Sequence, residues 1–207
     1  MIAPDGRPLA DPDIKDLDGD KNKRERFTYS EAVGYVLLRA VWMNDHAQFE
    51  KTWKWAKNNL QRKQIEKVSR WETKKWEDNP KKDYLFAWRW TPTPDAKDKT
   101  NGKGGVVHQT IGGGPWRGGL EGAPDGDLDI AAALIFAYKR WEKDEKYKEE
   151  AKQYKEEAKL ILQDIRAKYV KLINGKPYLM ADDGAYFYKN NETNPSYFRP
   201  AYFSKTF

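Results

Sequence analysis

The sequence predicts an all-α protein with long aromatic- and glycine-rich loops, and three stretches carry that prediction. Between Ile130 and Trp141, the residues Ile130, Ala133, Leu134, Ala137, Tyr138 and Trp141 recur at three- and four-residue steps, which places them on one helix face. From Tyr147 to Tyr169 the series Tyr147, Ala151, Tyr154, Ala158, Ile161, Ile165 and Tyr169 keeps the same spacing throughout. Upstream, two apolar stretches are separated only by Asn44 and Asp45, and helices joined by so short a turn pack as an antiparallel hairpin.

The composition sets limits on function. A chain of 207 residues is one domain or a large piece of one, and with 39% apolar and 34% charged residues it can build a core. Nine Trp and twelve Tyr exceed what a core of this size needs; their flat apolar faces and polar handles suit stacking on sugar rings or bases. The net charge is +6, but basic and acidic residues are interleaved almost everywhere, so no basic stripe for nucleic acid stands out. No run of apolar residues reaches membrane-spanning length, and Met1–Asp5 lacks the pattern of a signal peptide. Cysteine is absent, which removes disulfides and thiolate metal sites. His46 and His108 lie far apart, so neither a histidine metal site nor a Ser–His triad is supported. No cofactor and no metal are expected.

In chain order, residues 1–26 read as a loop punctuated by Pro4, Pro8 and Pro12. Asp16, Asp18, Asp20 and Asn22 have calcium-loop spacing, but Lys21 stands where glycine is required and Phe27 where glutamate is required, so a polar turn is expected. A first helix is predicted from Thr28–Glu31 to about Met43, apolar nearly all round and therefore buried. Asp45 is a suitable N-cap for a second helix with the stripe Phe49, Trp53, Ala56 and Leu60. Residues 61–83 read as a polar surface excursion carrying Trp71 and Trp76. Tyr84–Trp90 is a short strand-like run stopped by Pro92 and Pro94, and a glycine-rich loop with Trp116 and Arg117 follows from Gly102 to Gly122. A loop this long inside a compact domain is more often functional than idle, and its glycines match neither a P-loop nor a dinucleotide fingerprint. Asp144 is expected to cap the long helix that ends near Tyr169, Asn174–Gly175 to turn, and Pro177–Met180 to form a short strand. The tail beyond Asn194 is aromatic and proline-punctuated, and the chain stops at Phe207 without a terminating signal, as part of a longer domain would.

The stretch Ala123–Trp141 opens on Asp125, Asp127 and Asp129. Carboxylates at a helix start are favoured by the macrodipole and by capping of free N–H groups, which accounts for Asp127 and Asp129. Asp125, after Pro124 and beside Gly126, is expected on an exposed turn ahead of the helix, where a functional role is the more natural reading.

Three separated segments resemble one family. Thr28-Tyr29-Ser30-Glu31-Ala32-Val33-Gly34-Tyr35 is similar to the Ser-Glu-Gly-x-x-Tyr segment of glycoside hydrolase family 8. Ala123-Pro124-Asp125-Gly126-Asp127-Leu128-Asp129-Ile130-Ala131 resembles its Ala-Ser/Thr-Asp-Ala/Gly-Asp signature, and Asn194-Pro195-Ser196-Tyr197-Phe198 its Asn-Pro-Ser-Tyr segment. Pro124 departs from Ser or Thr, and Ala32 from Gly. The resemblance spans residues 1–207 and implies a partial (α/α)6 barrel, with N- and C-terminal helices missing, acting as a monomer on β-1,4-linked polysaccharide such as cellulose. It also suggests a secreted or periplasmic location. It implies hydrolysis with inversion, Glu31 as general acid, Asp125 at the cleavage point stabilising positive charge, and Trp88, Tyr197 and Asp127 contacting sugar. In the family the catalytic base follows the Asn-Pro-Ser-Tyr segment, so it is expected beyond this chain; a sugar-binding protein of the same architecture without a base is the alternative.

The residue types suit the chemistry. An inverting hydrolase pairs a protonated carboxyl with a carboxylate that activates water, roughly 6.5–9.5 Å apart. Burial beside Tyr29 and Tyr35 would help an acid keep its proton, and the positive helix terminus would oppose this. Glu31 also fits a Thr-x-x-Glu capping box with Thr28, so catalytic and capping readings both stand. For Trp88 and Tyr197, core packing and cleft lining both stand.

Overall fold

The computed structural model describes residues 2–9, 27–70, 72–73, 75–91, 104–108, 118–184 and 188–198. The calcium-loop-like segment 16–22, Trp71, the prolines at 92 and 94, most of the glycine-rich loop with Trp116 and Arg117, and the tail past Phe198 lie outside them.

Among these residues two helical hairpins form the frame: α1 (Ser30–Trp42) with α2 (His46–Asn59), and α3 (Pro124–Trp141) with α4 (Lys148–Lys168). The first turn is closed by Asn44 at φ 55° and by Asp45, whose carboxylate accepts the Gln48 N–H at 3.0 Å, the cap the sequence predicts. The hairpins meet through α1 and α3. Every residue of α3 from Pro124 to Leu134 is buried, whereas α2 and α4 bury single stripes: Phe49, Trp53 and Ala56 on one, Ala151, Tyr154, Ala158, Ile161 and Ile165 on the other. A helix wrapped in protein lies inside a helical assembly and a striped helix outside it. This is the inner and outer layering of an (α/α)6 barrel, of which the described residues form a part.

The α1–α3 approach depends on small residues. A side chain at Gly34 would bring its Cβ to 2.6 Å from Asp129 Cβ, so the backbones are closer there than any larger residue permits. Around this contact Leu37, Val41, Ile130, Ala133, Leu134 and Ala137 build the core, which continues through Phe49 and Tyr154 to Tyr169.

Four expectations are corrected. First, α1 is not buried all round: Tyr35, Trp42 and Met43 are 51%, 65% and 70% exposed and leave one side in solvent. Second, residues 61–83 are not a surface excursion. They contain β2 (Lys67–Arg70) and β3 (Lys75–Asp78), paired antiparallel, with β2 pairing parallel to β5 (Val107–His108). Arg62 in this segment is fully buried, and Asn79 gives its amide to the Arg62 and Ile65 carbonyls. Strands this short and this charged carry too little alternation to be read from sequence. Third, only Arg89–Trp90 of the aromatic run is a strand (β4); it pairs with β1 (Thr28–Tyr29), while Leu85, Phe86 and Ala87 are core. Fourth, α4 starts at Lys148, since Asp144 closes a preceding turn by accepting from Lys146 N at 2.9 Å. The predicted Asn174–Gly175 turn joins β6 (Val170–Ile173) to β7 (Lys176–Leu179), both turn residues taking the positive φ that a tight hairpin requires. Among the described residues no helix is long and apolar enough to cross a membrane.

Candidate active site

The site forms where the first turns of α1 and α3 abut. The β1–β4 pairing fixes the entry to α1, and Ser30 N donates to the Trp88 carbonyl at 3.0 Å, so the start of α1 is joined to the aromatic segment. Glu31 lies in that first turn, half-buried, and its Oε1 accepts the Tyr35 hydroxyl at 2.5 Å. The capping box does not form. Tyr29 occupies the N-cap without a side-chain bond, and Thr28, drawn into the strand, gives its hydroxyl to the Pro8 carbonyl at 2.6 Å. Trp88 is half-buried, with Tyr29 stacked on it at 5.6 Å and 5° and the Arg89 guanidinium 4.8 Å from its ring.

Asp125 is not on an exposed turn. Proline is favoured at the first helical position, and α3 accordingly begins at Pro124, which places Asp125 inside the first turn at 7% exposure. Its Oδ1 accepts the Gly126 N–H at 2.9 Å. Gly126 itself is the contact point between the two helix starts: a Cβ there would lie 2.3 Å from Ser30 Oγ and 2.9 Å from Glu31 N. Gly126→Ala is therefore expected to push the turns apart and to destabilise the fold by about 1–3 kcal/mol, the usual range for overpacking, despite alanine's better helix propensity. Thermal unfolding checks this, and an unchanged or raised midpoint would contradict it.

The short helix that carries Tyr197 packs on α3. This 3-10 helix, Pro195–Tyr197, is capped by Asn194, whose Oδ1 accepts from Ser196 N at 3.1 Å and Ser196 Oγ at 2.8 Å. Burial raises the Tyr197 phenol, and the nearby Asp125 carboxylate adds to this, with Glu31 and Asp182 contributing further. The Asp125 and Glu31 carboxylates therefore both bear on the Tyr197 hydroxyl. Asp182 is a carboxylate that the sequence reading missed. It is buried, held by the N–H groups of Gly184 and Tyr188 at 3.0 Å each, and raised by that burial. The Asp-Asp-Gly run was its one available signal.

Asp127 does not join them as a sugar contact. It is 0% exposed, its Oδ1 accepts Phe86 N at 2.8 Å and its Oδ2 the Tyr169 hydroxyl at 2.5 Å, so both oxygens serve the protein. Nor is it a helix cap, since Ala123 holds that position and no side-chain cap bond forms there; Asp129 is buried against Gly34. Behind Asp127 lies Arg62, fully buried, bidentate to Asp83 at 2.7 and 2.9 Å and bonded to Asp183 at 2.9 Å. Burial works to raise Asp183, yet Arg62, Lys81 and the Gly122 N–H hold it below the ordinary carboxylate value.

Burial pushes the Asp127 carboxyl up to about 8, against the Tyr169 hydroxyl, Arg62 and the Phe86 N–H. The folded value lies above the unfolded one near 3.8, so the folded state binds this proton more tightly. The stability contributed by its protonation is fully present below about pH 4 and is lost as pH rises through 8. Asp127→Asn is expected to flatten the fall in melting temperature between pH 6 and 9; an unaltered slope would assign the pH dependence elsewhere.

The profile of glycosyl hydrolases family 8 matches residues 13–207. An endoglucanase of Cellulomonas uda is 30% identical over 122 residues, covering 58% of this chain and 23% of that protein. Endoglucanase 2 of Ruminiclostridium josui is 26% identical over 178 residues, covering 85% of this chain and 28% of the relative. The chain thus spans about a quarter of the length of these relatives. Among solved structures, the endoglucanase Cel10 from Klebsiella pneumoniae superposes with a TM-score of 0.59 at 24% identity, over 96% of this chain and 46% of that one.

Proposed function

The chain belongs to glycosyl hydrolase family 8, and from that premise we propose that the protein carrying it cleaves β-1,4-linked polysaccharide internally, with a cellulose-like glucan as substrate. The observation that carries the reading is the close approach, at Gly126, of the first turn of α1 bearing Glu31 and the first turn of α3 bearing Asp125, beside the Trp88–Tyr29 stack. A carboxyl placed to protonate a leaving oxygen and a buried carboxylate placed beside developing positive charge, flanked by aromatic faces, suit cleavage of a sugar polymer.

Glu31 protonates the leaving glycosidic oxygen. The Tyr35 hydroxyl already occupies Oε1, which leaves Oε2 to hold the transferable proton. Asp125, in a largely dehydrated position, stabilises the positive charge that develops on the ring, where a low-dielectric setting strengthens the attraction. Trp88 and Tyr197 line the sugar path. Water is activated by a carboxylate from sequence following the Asn194–Tyr197 segment, on the opposite face of the ring, which gives inversion. The test is hydrolysis of a soluble cellulose derivative by the complete gene product with and without Glu31→Gln; equal rates would remove Glu31 from the acid role.

A further inference from the structure

We propose that Asp127 and Tyr169 are positioning residues, which lock the segment bearing Trp88 to the helix turn bearing Asp125. The proposal rests on the functional reading of those two residues given above. Asp127 stands two positions after Asp125 in the first turn of α3, and its Oδ1 holds the backbone N–H of Phe86, two positions before Trp88. One carboxylate therefore bonds the backbone of one arm of the site while being built into the other. Its second oxygen is held by Tyr169, which arrives from the end of α4 and is itself 0% exposed.

The way Tyr169 is held argues for a dedicated device. A Cβ at Gly122 would lie 1.7 Å from the Tyr169 hydroxyl oxygen, so this hydroxyl occupies space that only glycine leaves open. Gly122 in turn gives its N–H to Asp183 Oδ1 at 3.0 Å, and Asp183 Oδ2 is fixed by Arg62 and Lys81 at 2.9 Å each. The path Arg62–Asp183–Gly122–Tyr169–Asp127–Phe86 converges on the two segments that carry Trp88 and Asp125. On the other flank of the same turn, Gly126 sits against Glu31 N. A shift of this turn therefore moves Asp125 relative to both Glu31 and Trp88, and a displacement on the order of 1 Å at a reacting centre costs about a hundredfold in rate.

Tyr169→Phe keeps the ring and removes the bond. In the complete gene product it is expected to lower kcat on soluble cellulose derivative about tenfold or more, with KM nearly unchanged, per folded molecule. Asp127→Ala is expected to lose more, and Asp127→Asn, which keeps an acceptor for Phe86 N and a partner for Tyr169, to lose less than Asp127→Ala. Amide exchange at Phe86 is read independently of activity, and Asp127→Ala is expected to speed it at least tenfold. A wild-type kcat in Tyr169→Phe, losses that merely track the unfolded fraction, or unchanged exchange at Phe86 would each overturn the proposal. Equal activity of Glu31→Gln and wild type would instead remove the acid assignment and leave the exchange result standing.

Discussion

Replacing Glu31 by glutamine is expected to lower kcat on soluble cellulose derivatives by about 10²–10⁴-fold, the range that a positioned general acid contributes. The substitution is nearly isosteric, and the amide can still accept the Tyr35 hydroxyl on its oxygen, so the local structure around the first turn of α1 should persist. What disappears is the proton on the other atom: an amide nitrogen cannot release one to a leaving alcohol. The loss should therefore fall on kcat and leave substrate affinity largely intact, the signature of an interaction made mainly in the transition state. A substrate with a leaving group that needs no protonation should recover much of the lost rate. Affinity lost in parallel with rate would instead mark Glu31 as a binding residue.

Replacing Arg62 by methionine is expected to destabilise the protein by about 3–5 kcal/mol, the cost of breaking a buried ion pair from one side. The Arg62 side chain is 0% exposed, and its partners Asp83 and Asp183 are 13% and 7% exposed. Methionine fills similar volume but leaves two carboxylates without their guanidinium, Asp183 keeping Lys81 at 2.9 Å as its remaining ion-pair partner among the described residues. The penalty comes from stranded charge, so replacing Arg62, Asp83 and Asp183 together by apolar residues should cost less than Arg62→Met alone, and urea unfolding of both variants distinguishes the cases. By contrast Lys67–Asp78, at 58% and 88% side-chain exposure, should be removable with no measurable change, because solvent screens it. If Arg62→Met and Lys67→Ala proved equally mild, the buried network would be incidental to folding.

These two residues differ in how far sequence could reach them. Glu31 stands out in sequence because it sits in a local pattern, a short motif before an apolar run, and Asp125 and Tyr197 stand out for the same reason; their roles are those proposed above. Arg62 gave no signal, being one basic residue in a polar stretch. Its burial is produced by Asp83, Leu120 and Asp183, the last of which is 121 positions away. Asp127 was legible as a residue and misread in role, because its sequence position marks it as a helix-start carboxylate while its partners, Phe86 and Tyr169, are each about forty residues away. The capping box of Thr28 and Glu31 failed similarly: local spacing favours it, but strand pairing with Trp90 and the Pro8 carbonyl take Thr28 first.

The sequence by itself determined the four helices of the described residues, the Asp45 cap, the Asn174–Gly175 turn and the family, because each is written in spacing or in contiguous motifs; the burial of α3 on all sides from Pro124 to Leu134 was not among them. Only the tertiary structure decided where each carboxylate stands. It placed Asp125 within the first turn of α3 rather than ahead of it, set that turn against the first turn of α1 at Gly126, and turned Asp127 inward. The physical reason is that helical periodicity fixes a face, whereas the partner of a buried charge is fixed by whichever distant donor the packing brings within hydrogen-bond reach.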